Sequence, residues 1–182
     1  WAAGWSGDNV SSFDHMRFGI RMGVSVMMSG QANYGHDIGG FIGDSSGELL
    51  ARWMEWGVLN PLCRNHADNF STNQEPWAFG EPYTLWNRRW IQFRYELMPY
   101  LYTLARESAT NGMPMNTPTV FQFTSDTNTW SQNEYDFMVG PAILAAPVYV
   151  TNGTTRSVYL PSNTAWYGWY DDARYAGGQT VR

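Results

Sequence analysis

The first 112 residues alternate between short apolar runs and longer segments in which apolar positions recur at helical spacing. The three apolar runs are residues 1–7, residues 24–30 ("VSVMMSG") and residues 58–63 ("VLNPLC"). Their length, their β-branched residues and the glycines that bound them favour buried strands. Strands that alternate with helices are typical of βα units with a parallel sheet. The pattern therefore predicts three such units in succession.

Capping residues and glycines predict the ends of the first two helices. Residues 11–14 ("SSFD") form a capping box, and the helix after it is expected to stop at Gly23. A second capping box, Ser45-x-x-Glu48, opens a helix with an apolar face that is expected to end at Gly57. Between these two helices, residues 31–41 ("QANYGHDIGGF") are predicted to form a glycine-rich loop.

A third helix is predicted from about residue 84 to residue 111, kinked near Pro99 and closed by Gly112. After Gly112 the sequence pattern changes to short runs rich in β-forming residues, divided by Gly, Pro and Asn, and no helix is predicted there. The pattern is typical of an antiparallel β-sandwich. We therefore divide the chain into residues 1–112 and an incomplete β-domain of residues 113–182.

Each predicted strand of the first region is followed by polar residues of catalytic type. These are Asp8, then His36 and Asp37, then Arg64 and His66. In folds built from parallel βα units, active sites gather at the carboxyl ends of the strands. The chain is therefore expected to carry part of an active site at that edge.

Composition narrows the class of protein. The chain has 182 residues, a net charge of −5 and an aromatic fraction of 16%, and its 11 basic residues are all Arg. The negative charge argues against nucleic-acid binding, and no run approaches the roughly 20 apolar residues of a membrane span. The rings suit either stacking on sugars or a large aromatic core. With Cys63 as the only cysteine, no intrachain disulfide can form.

A complete barrel of parallel βα units needs eight strands and about 200 residues or more. Three units cannot close a barrel, so we expect the chain to be the last part of one, with the rest upstream. The sequence does not establish the cellular compartment of the protein. Three Asn-x-Ser/Thr sequons, at Asn9, Asn69 and Asn152, slightly favour a secreted or periplasmic protein.

Seven segments stand out along the chain, in this order: "WSGDN", "GHDIGGF", "ELLARWMEWGVLNPLCRNH", "QEPWAFG", "RYELMPYLYTL", "GPAILAAPV" and "VYLP". Together they resemble glycoside hydrolase family 31, which contains α-glucosidases, α-xylosidases and related retaining enzymes. The resemblance implies a (β/α)8 TIM barrel followed directly by a β-sandwich, with the last three βα units present here.

The resemblance also implies roles for individual residues. The Asp of "GDN" is the family's general acid/base and corresponds to Asp8, and the Trp three residues earlier, Trp5, lines the sugar subsite. From the local sequence alone, a helix N-cap or an Asx-turn is the favoured interpretation of Asp8. The family's nucleophile is an Asp on an earlier strand, and no stretch of this sequence matches its motif.

Further residues are implied to bind the sugar. Asp37 and Phe41 of "HDIGGF" contact the sugar at the cleavage point, His66 of "RNH" hydrogen-bonds its hydroxyls, and Arg64 supports the site. No metal is expected, because the spacing of the nearby His and Asp residues matches no zinc or calcium pattern. Glu75 of "QEPW" is interpreted as a structural anchor for its loop.

The implied activity is hydrolysis of terminal α-linked glucose with retention, by double displacement between two carboxyl groups about 5 Å apart. α-Xylosidase, α-galactosaminidase, α-transglycosylase and α-glucan lyase activities stay open, as does an inert carbohydrate-binding protein. The expected partners are an oligosaccharide or α-glucoside substrate and the upstream part of the same barrel. No cofactor, nucleic acid or membrane span is expected.

Overall fold

The computed structural model describes residues 2–182. Its first region is built on a parallel sheet with the strand order β1-β2-β3. The strands are β1 (Gly4–Trp5), β2 (Tyr34–Ile38) and β3 (Leu62–Asn65). The prediction of three parallel strands joined through helices is confirmed, although two of the strands lie elsewhere than predicted.

Four helices accompany this sheet. Ser12 begins the first one by accepting a hydrogen bond from the backbone N–H of His15, and Ser46 does the same for the second through Leu49. The second cap is therefore Ser46 rather than the predicted Ser45. The helices are α1 (Phe13–Met28), α2 (Gly47–Gly57), α3 (Tyr83–Glu96) and α4 (Met98–Asn111).

The apolar run at residues 24–30 is not a strand, because α1 continues through Gly23 to Met28. Glycine normally weakens a helix by about 1 kcal/mol, but here it has a packing role. A Cβ on Gly23 would lie 2.8 Å from Nε2 of His36, so the helix can lie close to β2 only without that side chain. Tertiary packing thus overrides the local signal for a helix end.

The second strand lies instead in the segment predicted to be a loop. All five residues of Tyr34–Ile38 are buried, so the strand shows no alternation of apolar and polar residues. Its sequence, "YGHDI", contains a Gly, a His and an Asp, which are uncommon in strands. The third strand is also displaced: residues 58–61 are a turn after α2, and β3 starts at Leu62.

The long third helix is divided at Leu97 into α3 and α4. Pro99 lies in the first turn of α4, where its missing N–H is tolerated. Proline disfavours continuation of a helix through the residues before it, which explains the break. Gly112 ends α4 with a left-handed backbone (φ 78°), as predicted.

The second region contains three small antiparallel sheets. A short helix, α5 (Thr119–Gln122), and a 3-10 turn (Thr127–Trp130) lie where no helix is predicted. The sandwich arrangement and the boundary after residue 112 stay predictions. The strands are β4 (Asn116–Pro118), β5 (Phe137–Val139), β6 (Ile143–Ala145), β7 (Val158–Leu160), β8 (Ala165–Tyr167), β9 (Arg174–Ala176) and β10 (Gln179–Val181).

One apolar core joins the two regions. It runs from Trp53 and Trp56 of α2 through Leu101 of α4 to Phe137 and Val139 of β5. Large buried rings provide much of the hydrophobic stabilisation in such a core. Among residues 2–182, no helix has both the length and the apolar character to cross a membrane.

Candidate active site

The parallel strands bring several predicted site residues to one edge of the sheet. Trp5 ends β1, while Asp37 of β2 and Arg64 of β3 are paired in register. Successive residues of a strand point to opposite faces, so Asp37 and Arg64 project from the same face. The two side chains therefore come into contact at this edge.

Asp37 is fully buried and held from one side only. Both Nε (2.7 Å) and Nη2 (2.5 Å) of Arg64 contact its Oδ1, whereas Oδ2 accepts no hydrogen bond from any residue of the described chain. Burial raises the pKa of Asp37, and the hydrogen bond and charge of Arg64 only partly oppose this effect. The carboxylate therefore retains one buried oxygen, Oδ2, without a hydrogen-bond donor.

Arg64 also contacts an aromatic ring. Its guanidinium carbon lies 5.3 Å from the centroid of the Trp5 ring, a cation–π distance. The Trp5 side chain is 48% exposed and so presents ring surface outside this contact. Arg64 thus fixes the carboxylate of Asp37 beside an accessible aromatic ring.

Asp8 lies on the exposed turn that follows β1. Gly7 allows the turn with a left-handed backbone (φ 73°), and the carbonyl of Asn9 accepts hydrogen bonds from the N–H groups of Phe41 (2.7 Å) and Ile42 (3.1 Å). Asp8 is near enough to raise the pKa of Asp37. Because Ser12 caps α1, the N-cap interpretation of Asp8 is wrong.

Phe41 and His66 lie against each other at the ends of β2 and β3. Their ring centroids are 5.2 Å apart with an interplanar angle of 27°. The carbonyl of Phe41 accepts a hydrogen bond from the N–H of Asp68 (3.0 Å), and the carboxylate of Asp68 in turn binds Ser71. The two loops therefore form one connected surface next to Asp37.

His36 is a strand-end candidate that the structure places elsewhere. Its ring lies on the opposite side of β2 from Asp37, against Gly19 and Gly23 of α1 and 4.8 Å from the Trp56 ring. Burial lowers the pKa of His36 to about 3. Since neighbouring strand residues face opposite sides, His36 belongs to the packing between helix and sheet and not to this site.

Gln74 is the residue that the sequence interpretation missed. The loop anchor was assigned to Glu75, but the buried Gln74 is the residue that bonds to both loops. The only sequence signal is its place in the "QEPWAFG" segment. Its Nε2 lies 3.0–3.2 Å from the carbonyl oxygens of Ile38, Gly40 and His66 and from Oδ1 of Asn65.

Parallel βα units with polar side chains gathered at their carboxyl edge are typical of α/β enzymes, the TIM barrel among them. Comparison with known proteins identifies the family. The family described as "Glycosyl hydrolases family 31 TIM-barrel domain" matches residues 1–104, and "Glycosyl hydrolase family 31 C-terminal domain" matches residues 112–182. The chain therefore belongs to glycosyl hydrolase family 31.

Relatives agree with this assignment. A probable glucan 1,3-alpha-glucosidase of Oryza sativa subsp. japonica is 39% identical over 98% of this chain, which spans 19% of that protein. Alpha-glucosidase 2 of Bacillus thermoamyloliquefaciens is also 39% identical over 98% of the chain, which spans 22% of that protein. The chain thus spans about a fifth of the length of the curated relatives it matches.

Solved structures show the same similarity. A GH31 alpha-xylosidase from a soil metagenome, complexed with xylose, matches with a TM-score of 0.90 and 31% identity, covering 97% of this chain and 29% of its own. A Flavobacterium johnsoniae GH31 dextranase complexed with isomaltotriose matches with a TM-score of 0.91 and 33% identity, covering 100% of this chain and 23% of its own.

Proposed function

We propose that this chain is the closing part of the catalytic barrel of a retaining α-glycoside hydrolase, specifically an α-glucosidase. The proposal rests on the exposed Asp8 at the end of β1 and on the nearby carboxylate of Asp37, of which only Oδ1 is hydrogen-bonded within the described chain. Relatives named as alpha-glucosidases at 39% identity support the choice of glucose.

In this proposal Asp8 is the general acid/base of a double displacement. A carboxylate from another part of the barrel attacks the anomeric carbon while Asp8 donates its proton to the departing glycosidic oxygen. Asp8 then takes a proton from water, which adds to the anomeric carbon and releases both the sugar and the nucleophile. The upstream part of the barrel is therefore a required partner.

The remaining residues bind the sugar at the cleavage point. Oδ2 of Asp37 accepts hydrogen bonds from sugar hydroxyls, while Arg64 keeps the carboxylate ionised and oriented. The rings of Trp5, Phe41 and His66 bound the sugar, and the imidazole of His66 can donate to and accept from adjacent hydroxyls. A buried acceptor of this kind discriminates against a sugar that lacks the matching hydroxyl.

α-Xylosidase is the second candidate function. The structure of the soil-metagenome alpha-xylosidase, which aligns over nearly the whole of this chain, favours it. The two activities differ in whether the pocket accepts the hydroxymethyl group of glucose. The ratio of kcat/KM for matched aryl α-glucosides and α-xylosides, measured on the full-length protein, separates them.

The acid role of Asp8 is tested by Asp8→Ala in the full-length protein. Loss of a general acid costs about 10²–10⁴-fold in rate. We expect a loss in this range on α-linked disaccharides, whose leaving group needs protonation, and a much smaller loss on activated aryl α-glucosides.

Asp14→Ala is the matched control, because Asp14 is an exposed aspartate of α1 that pairs only with Arg17. It should retain wild-type rates on both substrates. Equal losses on the two substrates for Asp8→Ala would contradict the acid role.

A further inference from the structure

We propose that Gln74 is a positioning residue, whose buried amide sets the spacing between the loops after β2 and β3 and thereby places Phe41 and His66 around the sugar. The inference rests on the function proposed above, since it assigns these two rings to the sugar subsite. Gln74 itself touches no substrate in this proposal. Its effect passes through the two loops that it joins.

The nitrogen of the Gln74 side chain lies at the centre of four oxygen atoms. Its distances are 3.1 Å to the Ile38 carbonyl, 3.0 Å to Gly40, 3.2 Å to Oδ1 of Asn65 and 3.1 Å to His66. An amide nitrogen has two protons, which must be shared among these four acceptors. The opposite orientation of the amide would place oxygen against oxygen, so the nitrogen faces this cluster.

The four acceptors belong to two different segments. Ile38 and Gly40 lie at the end of β2, and Asn65 and His66 at the end of β3. Asn65 also returns a hydrogen bond, from its Nδ2 to the backbone carbonyl of Gln74 (2.6 Å). Gln74 is only 5% exposed, and a buried carbonyl left without a donor destabilises the fold. The amide therefore ties the two strand ends together.

This connection reaches the proposed sugar subsite directly. Gly40 immediately precedes Phe41, and the bonded carbonyl at the other loop is that of His66 itself, whose ring stacks on Phe41. Gly39 fits the same arrangement, because its backbone is left-handed (φ 95°) and a Cβ there would lie 2.9 Å from Oε1 of Gln74. A side chain at position 39 would therefore collide with the Gln74 amide.

A second contact between the loops makes the test feasible. The N–H of Asp68 donates to the carbonyl of Phe41 without involving the Gln74 side chain, so we expect this contact to persist when that side chain is changed. Substitution at Gln74 is therefore expected to loosen the loops without separating them. The expected result is misplacement of the rings rather than loss of the fold.

The experiment compares Gln74→Met and Gln74→Glu with wild type in the full-length protein, using a glycoside that the wild type cleaves. Gln74→Met removes the donor but keeps a similar volume, and we expect kcat/KM to fall about tenfold to a hundredfold. The backbone N–H groups of Phe41 and Asp68 should exchange with deuterium faster than in wild type. Gln92→Met, on the exposed face of α3, is the matched control and should change neither quantity.

Gln74→Glu supplies a readout that a merely structural role does not give. The introduced carboxyl faces four oxygens, so only its protonated form can donate a hydrogen bond. We expect the ratio of its kcat/KM to that of wild type to rise as pH falls, over a range in which both proteins stay folded. A ratio that does not change with pH, or loop exchange in Gln74→Met that equals wild type, would overturn the proposal.

Different results would refute the proposed function and the positioning role of Gln74. If the wild type cleaves no α-glycoside, or Asp8→Ala changes no rate, the proposed function fails. Deuterium exchange of the loop N–H groups in the Gln74 variants still tests whether the Gln74 amide holds the two loops together, because this measurement needs no substrate. If the wild type is active and Gln74→Met keeps kcat/KM within twofold of it, the positioning role is wrong while the function stands.

Discussion

Asp37 of the barrel region and Asp126 of the C-terminal region are both buried carboxylates, but their oxygens are used differently. Asp126 accepts hydrogen bonds on both oxygens, from the hydroxyl of Tyr159 (2.8 Å) and the N–H of Ser162 (2.7 Å) on Oδ2, and from the N–H of Asn128 (3.1 Å) on Oδ1. Asp37 is bound by Arg64 on Oδ1 alone.

The difference appears in the acidity of the two groups. Burial raises the pKa of each. In Asp126 the hydrogen bonds from Ser162 and Tyr159 outweigh burial and hold the pKa at about 2. In Asp37 burial prevails over Arg64, and the pKa is above the usual range. Hydrogen bonds to the charged form thus decide the sign of the change.

The comparison separates a structural carboxylate from a candidate ligand-binding one. Asp126 closes a turn and connects it to β7 through Tyr159, which stabilises the C-terminal region internally. Asp37 lies buried at the carboxyl edge of a parallel sheet and keeps an acceptor that the described chain does not use. Burial by itself therefore does not distinguish the two carboxylates, whereas the use of their oxygens does.

The strongest test of this distinction exchanges each carboxylate for its amide. We expect Asp37→Asn to lower kcat/KM on α-glucosides about a hundredfold, since a hydrogen bond to a charged group is worth about 1.5–3 kcal/mol, with little change in thermal stability. Asp126→Asn should keep near-wild-type activity and lose about 1–3 kcal/mol of local stability. Steady-state kinetics and thermal unfolding of the full-length protein check both. Parallel losses of activity and stability in the two variants would contradict the distinction.

A smaller effect is expected from changing the cation beside Asp37. Arg64→Met removes the group that holds the pKa of Asp37 down, so the pKa rises further and protonation begins at a higher pH. The acidic limb of the kcat/KM profile should move to higher pH by about one pH unit or more, provided that ionised Asp37 binds the sugar. Arg17→Met, at a surface pair of α1, should leave the profile unchanged. An unmoved acidic limb in Arg64→Met would show that the ionisation of Asp37 does not control activity.

Local signals in the sequence predicted some elements well. The start of α1 and the ends of α2 and α4 follow from caps and glycines, and the alternation of strands with helices predicted a parallel sheet of three strands. The position of β2 could not be predicted in the same way. Its residues carry no strand alternation because both faces of the strand are buried. The close packing of α1 depends on the contact of Gly23 with His36, which lie in different elements.

The candidate site, like the fold, could be predicted only in part from the sequence. Apart from His36, the polar residues at the predicted strand ends do meet at one edge, because parallel strands place their carboxyl ends together. The side that each residue faces depends on its position along the strand. His36 therefore packs against α1, on the side of β2 opposite Asp37. The role of Gln74 depends on four acceptors from two segments, a convergence that only the folded chain shows.

The smallest expected effect comes from Tyr159→Phe, which tests the hydrogen bonding of Asp126. The substitution removes one donor to Asp126 and leaves those of Ser162 and Asn128 in place. We expect a loss of about 1 kcal/mol in stability and a rise in the pKa of Asp126 toward its usual value. Because the folded pKa of Asp126 is depressed, its contribution to stability is present above the unfolded pKa of about 3.9 and is lost as pH falls through about 2.

The difference in unfolding temperature between wild type and Tyr159→Phe should therefore be largest near neutral pH and shrink between about pH 4 and pH 2. Tyr167→Phe, at an exposed tyrosine of β8, is the matched control and should follow wild type throughout. A difference that stays constant down to pH 2 would mean that Tyr159 acts through packing alone. The low pKa of Asp126 would then have to come from the two backbone N–H groups, and hydrogen bonding by the Tyr159 hydroxyl would not contribute to the contrast with Asp37.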